Sequence, residues 1–172
     1  MWTTNLVNAK HLQYAPDTFS KQFETLTPFS GQVVPLAQTD DPFFKNGYMG
    51  PGAAVTSTSN TIVAPFVGKV LNVSPLDYAI DIQSKVGLKC RIKYGGDTCH
   101  LHGAQFKCAL KRGDTFNVSQ TLFTVNSAWL KQQGVSNVCA LTLLNANALI
   151  GIVPTRQKFV DAATDSLFTL YL

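Results

Sequence analysis

From Pro28 onward, apolar residues come in short runs punctuated by Gly, Pro, Asn and Asp. VVPL, AAVTS, TIVAPF, GKVLNV, YAIDI, GLKCRIKY, DTFNV, TLFTV, CALTLL, ALIGIV and SLFTLYL are each of strand length and rich in Val, Ile, Phe, Leu and Thr. One window, NSAWLKQQG, has helical character, with Asn126 or Ser127 placed to cap it and Gly134 to stop it. The pattern predicts an all-β domain, an antiparallel two-sheet sandwich or flattened barrel with short helical segments.

The first 27 residues differ. Apolar positions are scattered through a polar lead that Pro16 divides, and Asp17 is placed to cap a helix over TFSKQFETL, with Phe19 and Phe23 four apart on one helical face. The expected organisation is therefore an N-terminal arm, residues 1–27, and a β domain, residues 28–172. Within the domain, GLKCRIKY alternates strictly. Lys89, Arg91 and Lys93 fall on one face, and Leu88, Cys90, Ile92 and Tyr94 on the other. Three like charges along one strand face repel each other unless water or an anion intervenes, so the pattern predicts a basic, solvated outer face.

With 172 residues, 45% hydrophobic and 14% charged, the chain is long enough for one well-buried core and too apolar for disorder. Its net charge of +4 comes without an arginine-rich run or an aromatic platform, so nucleic acid is not an expected partner. The chain has no apolar run of membrane-spanning length, and its start lacks the basic-then-apolar order of a secretory signal; a soluble, cytoplasmic protein is expected. Cys90, Cys99, Cys108 and Cys139 lack the close spacing of a structural zinc site and are expected as buried thiols. Neither a phosphate-binding glycine loop opening a helix nor a nucleophile elbow is present, and no cofactor is expected.

The order and spacing of PFSGQVVPL, GPGAAV, IVAPFVGKV, LDYAIDI and YGGDT, followed without a gap by AQFKCALKRGDTFNVSQTLFTVN, resembles the glucose-type enzyme IIA domain of the bacterial phosphoenolpyruvate-dependent sugar phosphotransferase system. The resemblance covers residues 28–172 and implies an antiparallel β-sandwich with a shallow concave active face. In that family the phosphocarrier HPr hands a phosphoryl group to one histidine, which passes it to an enzyme IIB domain, while a second histidine stabilises the charge in transit. The first histidine precedes an Ala-Phe-x-Ile strand, and the second stands two residues before a Gly-x-Asp-Thr turn. Tyr78 and Lys93 occupy those positions here. Leu76 stands where the family has an orienting threonine, Arg91 replaces a phenylalanine of the partner face, and Pro51 replaces an acidic residue. Asp97 matches the active-site aspartate, and Phe43, Phe44, Tyr48 and Met49 keep an apolar loop at the rim, with Ile80 beside them on the partner face.

Imidazole, with a pKa of about 6.5, offers a neutral nitrogen nucleophile at pH 7 and a phosphoramidate that passes its phosphate on. A phenol of pKa about 10 and an ammonium of pKa about 10.4 do neither. Loss of acceptor, stabiliser and orienting hydroxyl together points to a IIA-like protein that has lost phosphotransfer and works as a regulatory or adaptor module. Its expected partner is a protein on the concave face, either a phosphotransferase-system component or an acidic protein held by Arg91 and Lys93. The enzymatic alternative is a working carrier with a relocated acceptor, since His100 and His102 would share one face of a strand. A zinc hydrolase built on that His-x-His would need Asp97 as third ligand, and no metal site is expected.

Overall fold

The computed structural model describes residues 10–172. It contains β1 (Gln22–Leu26), β2 (Gly31–Val34), α1 (Pro42–Lys45), β3 (Gly52–Ser57), β4 (Thr61–Val63), β5 (Gly68–Ser74), β6 (Ala79–Ser84) and β7 (Lys89–Lys93). Then come β8 (Thr115–Phe116), β9 (Thr121–Thr124), α2 (Ser127–Gln132), β10 (Val138–Leu143), β11 (Gly151–Pro154), β12 (Phe159–Val160) and β13 (Ser166–Tyr171). Every strand pairing is antiparallel. An eight-stranded sheet of order β12-β2-β3-β10-β7-β6-β5-β8 packs with a three-stranded sheet, β1-β13-β11, and a two-stranded ribbon, β4-β9. The all-β class predicted from the runs is the class observed. α2 begins as predicted, with Asn126 Oδ1 accepting from Trp129 N at 3.0 Å, and Gly134 follows it at φ 78°.

One expectation for the start of the chain changes. In place of a helix over TFSKQFETL, Gln22–Leu26 is strand β1, paired with β13 from Gln22↔Tyr171 to Leu26↔Ser166. Phe23 and Thr25 turn inward while Gln22 and Glu24 face out, a period of two, and Phe19 packs edge-on against Tyr171 at 4.9 Å. An unpaired edge of β13 binds the segment more strongly than weak helical propensity can hold it in a helix.

The core lies between the sheets. Val55 of β3, Cys139 and Leu141 of β10, Cys90 and Ile92 of β7 and Ile80 and Ile82 of β6 are wholly buried there. The opposite face of the large sheet is also covered at its centre. Ala54 and Ala140, directly paired across β3 and β10, are buried under Leu36 and Phe44 of the 35–50 segment. Two alanines leave the depth an aromatic ring needs to lie against a sheet, so Phe44 clamps α1 to it. The four thiols divide accordingly: Cys90 and Cys139 are buried, Cys108 is half-buried and Cys99 is exposed.

Two predictions follow from this packing. Phe44→Ala leaves a cavity between α1 and the sheet and should cost about 3–5 kcal/mol, read as a thermal midpoint lower by about 10 °C; a loss below about 1 kcal/mol would show that the segment does not rest on this ring. Burial also pushes the Cys90 thiol and the Tyr94 phenol up and the Cys139 thiol up to about 12. The folded chain holds these protons where the unfolded chain releases them, so their stabilisation is complete below about pH 8 and is lost as pH rises, at about 1.4 kcal/mol per pH unit for each titrating group. Lys93, whose pKa burial lowers, shifts stability in the opposite sense. The urea midpoint should fall steadily from about pH 9 upward, and a flat midpoint to pH 10 would contradict the assignment.

Candidate functional site

Two cross-strand rows on the outer face of the large sheet frame the positions singled out in the sequence. Ala54, Ala140, Lys93 and Ala79 stand opposite one another across β3, β10, β7 and β6, and Gly52, Thr142, Arg91 and Asp81 form the next row. Arg91 and Lys93 therefore do share a face. That face is not the solvated one the alternation suggests, because the 35–50 segment and the turns beside it lie over it: Lys93 is 3% exposed and only Lys89 is fully in solvent.

The Lys93 ammonium meets oxygens from three separate segments. Its Nζ donates to Asp77 O at 2.5 Å and to Thr98 Oγ1 at 3.4 Å, and lies 3.7 Å from Asp41 Oδ2. Thr98 Oγ1 in turn donates to Leu76 O at 2.9 Å. Asp41 is held in place as the N-cap of α1, its Oδ1 accepting from Phe43 N at 2.9 Å, with Pro42 at the first helical position. Burial lowers the Lys93 pKa, and the carboxylates of Asp41 and Asp77 pull it partly back. The turn below demands glycine, since a Cβ on Gly96 would come within 2.6 Å of Asp40 Cβ and drive the Asp40–Asp41 backbone off the lysine.

Arg91 is engaged as well. Its Nε pairs with Asp81 Oδ1 at 2.8 Å across β6 and β7, its Nη2 lies 3.4 Å from Ser74 Oγ, and its Nη1 sits 3.9 Å from Met49 Sδ. The anion-holding role expected for Arg91 and Lys93 is thus filled from within the chain by Asp81, Asp41 and the Asp77 carbonyl.

Tyr78 is a core residue. It ends the 3-10 turn Pro75–Asp77 in the left-handed conformation, φ 50° and ψ 47°, and its carbonyl accepts from Tyr94 N at 2.9 Å. The left-handed backbone sends its ring inward, where it is 0% exposed and packs at 5.5 Å, tilted by 53°, against Phe106, itself 4.9 Å from Phe123. The phenol donates to Ala104 O, and burial raises its pKa further from the neutral range.

His100 and His102 are not on a strand. His100 lies in the 3-10 turn Cys99–Leu101, and His102 ends it at φ 54°, both exposed. Asp97 is exposed, with Oδ1 3.4 Å from Cys99 N, and no group of three His, Cys, Asp or Glu side chains among the described residues is placed to hold a metal ion. Cys99 donates its thiol to Asp77 Oδ1 at 3.4 Å, and that bond, with a smaller contribution from burial, raises its pKa. Of the expected apolar rim, Phe43 and Tyr48 are exposed and pack edge-on at 6.2 Å, with Met49 half-buried beside Arg91, while Phe44 and Ile80 are buried in the protein's own interior. Leu76, whose carbonyl accepts from Thr98, is exposed as well. Asp41, Asp77 and Thr98, which organise the lysine, are not picked out by sequence reasoning; the Asp-Pro start of a helix at Asp41 is the one local signal available. The larger cavities lie elsewhere. One of about 460 Å³ is lined by Val34, Phe44 and Lys158 and another of about 580 Å³ by Lys69, Gln83 and Thr115; neither Tyr78 nor Lys93 lines them.

Comparison with known proteins agrees with this architecture. The family model of the phosphoenolpyruvate-dependent sugar phosphotransferase system, EIIA 1, matches residues 23–149. The chain is 30% identical over 141 residues to the PTS system glucose-specific EIIBCA component of Corynebacterium glutamicum, an alignment covering 82% of this chain and 21% of that protein, so it spans about a fifth of that relative's length. It is 29% identical over 132 residues to the PTS system glucose-specific EIIA component of Staphylococcus aureus, covering 77% of this chain and 80% of that one. Glucose permease IIA from Mycoplasma capricolum has the same fold, with a TM-score of 0.75, 24% identity and coverage of 87% of this chain and 96% of that one. No helix among the described residues is long and apolar enough to cross a membrane. The match of the family model over most of the β domain places this chain in the EIIA 1 family of the phosphoenolpyruvate-dependent sugar phosphotransferase system, as a glucose-type EIIA domain.

Proposed function

We propose that this EIIA domain does not carry phosphate at positions 78 and 93 and serves as a binding module, regulatory or adaptor, for other proteins of the phosphotransferase system. The observation that carries the reading is that both positions are occupied by structural groups. A phosphoacceptor must reach solvent and present a lone pair to an incoming phosphorus atom, whereas the Tyr78 oxygen is turned inward to Ala104 O. A charge stabiliser must likewise keep donors for the phosphoryl oxygens, whereas Lys93 directs its ammonium to Asp77 O, Thr98 and Asp41.

What remains usable is the surface around them. Phe43, Tyr48 and Leu76 expose 58%, 61% and 51% of their area, close to the buried lysine that joins their segments. Adjacent exposed aromatics of this kind are the usual anchors of protein interfaces. EIIA domains work with other components of the phosphotransferase system, and this rim fits such a partner better than an acidic protein, because the basic residues behind it are already neutralised.

Incubation with phosphoenolpyruvate, enzyme I and HPr, followed by intact-mass analysis under conditions that keep acid-labile phosphate, should show no added phosphoryl group beside a labelled control EIIA domain. A phosphoryl group lost on His100→Ala or His102→Ala would establish a relocated acceptor and overturn the reading. Independently, the Phe43→Ala, Tyr48→Ala double variant should weaken binding of unphosphorylated HPr, measured by NMR titration, by about tenfold or more without lowering the thermal midpoint; unchanged affinity would move the docking surface elsewhere.

A further inference from the structure

The cavity behind α1 is built differently from the rim in front of it. Its walls are apolar and come from separate elements: Val33 and Val34 of β2, Ala53 of β3, Leu36 and Phe44 of the clamped segment, and Pro154 at the end of β11. Leu36 and Phe44 are fixed by their packing on Ala54 and Ala140, so the cavity is present without a ligand to shape it. At about 460 Å³ it is in the range of small-molecule sites. The ionisable side chains that line it are basic: Lys45 from the last turn of α1, Lys158 from the segment before β12, and His11, whose Nε2 lies 2.9 Å from Gly52 O. Asn46, Thr155 and Gln157 add neutral hydrogen-bonding groups, and among the described residues no carboxylate lines the cavity.

We propose that this cavity binds a small amphipathic carboxylate, its hydrocarbon body lying along Val33, Val34 and Pro154 and its carboxylate held by Lys45 and Lys158. The argument is one of complementarity. A wall this apolar stabilises hydrocarbon removed from water, and two ammonium groups arriving from unconnected segments with no opposing carboxylate favour a single anionic head. A multiply charged or sugar-like ligand would leave its polar groups facing Val33, Ala53 and Pro154 without partners. The site is distinct from the Tyr78–Lys93 region, although the same short helix turns Phe44 and Lys45 toward the cavity and Phe43 toward the rim.

Titration calorimetry of the full chain with decanoate and, separately, with decanol tests the assignment. One decanoate should bind per chain with a dissociation constant below about 1 mM, and decanol at least about tenfold more weakly. Charge reversal of both exposed lysines, Lys45→Glu with Lys158→Glu, should weaken decanoate by about tenfold or more. Ala37→Trp, at an exposed lining position where the fold is not at stake, should block it. Equal binding of decanoate and decanol, decanoate binding that survives the charge reversal, or no binding at all would overturn the proposal. So would self-association of the chain that Ala37→Trp abolishes while decanoate fails to bind, since the occupant would then be a second copy.

Discussion

An ammonium group buried among β-strands must be surrounded by oxygen, because an unpaired charge removed from water costs several kcal/mol or loses its proton. Lys93 meets that requirement with Asp77 O, Thr98 Oγ1 and Asp41 Oδ2, none of which is its neighbour along β7. Three segments are thereby brought to one point: the cap of α1, the turn before Tyr78 and the turn after Gly96. The exposed rim exists because those segments are held over the sheet, and the backbone that turns Tyr78 inward belongs to the same knot. Lys93 is in this sense the organising group of the surface, although it is almost invisible from outside.

The large sheet can accept this cover because its central outer positions are small. Ala54, Ala140 and Ala79 flank the lysine across three neighbouring strands, and Phe44 seats on the first two. Strands buried on both faces are more usual in parallel sheets, and here an antiparallel sheet reaches the same condition locally. The next row, Gly52–Thr142–Arg91–Asp81, keeps its charge by pairing within the sheet, so the two rows neutralise their cations by different means, one by cross-strand contact and one by contact with loops.

Much of the fold was legible in the chain because strand periodicity is local. KCRIK and AIDIQS declare their two faces by alternation, and the cap of α2 declares itself at Asn126. What alternation cannot report is which face is later covered. The basic face of β7 looks solvated in isolation, and only the distant residues 36–50, themselves reading as loop, place it inside. The same limit explains β1: Phe19 and Phe23 fit a helical spacing, and the ladder to β13 that overrides it joins positions almost the whole chain apart. His100 and His102 show the converse, where a two-residue spacing suggests a strand but a 3-10 turn occupies the place. The resemblance singles out Tyr78 and Lys93, but that both are internal could not be read from it, since neither residue type is ordinarily buried without partners that sequence alone does not supply.

Tyr78 also limits which side chains its position can accept. Its ring fills the space beside Phe106 and Phe123, and its hydroxyl satisfies Ala104 O. A histidine substituted at this position would leave an aromatic-sized gap if it turned outward, or a polar ring among phenylalanines if it turned inward, and the carbonyl would lose its donor in the first case. Nor would it find a partner at 93, where the lysine is held by three oxygens. Position 78 is therefore closed to a smaller or more polar ring by single substitution, and the core itself fixes which residue stands there.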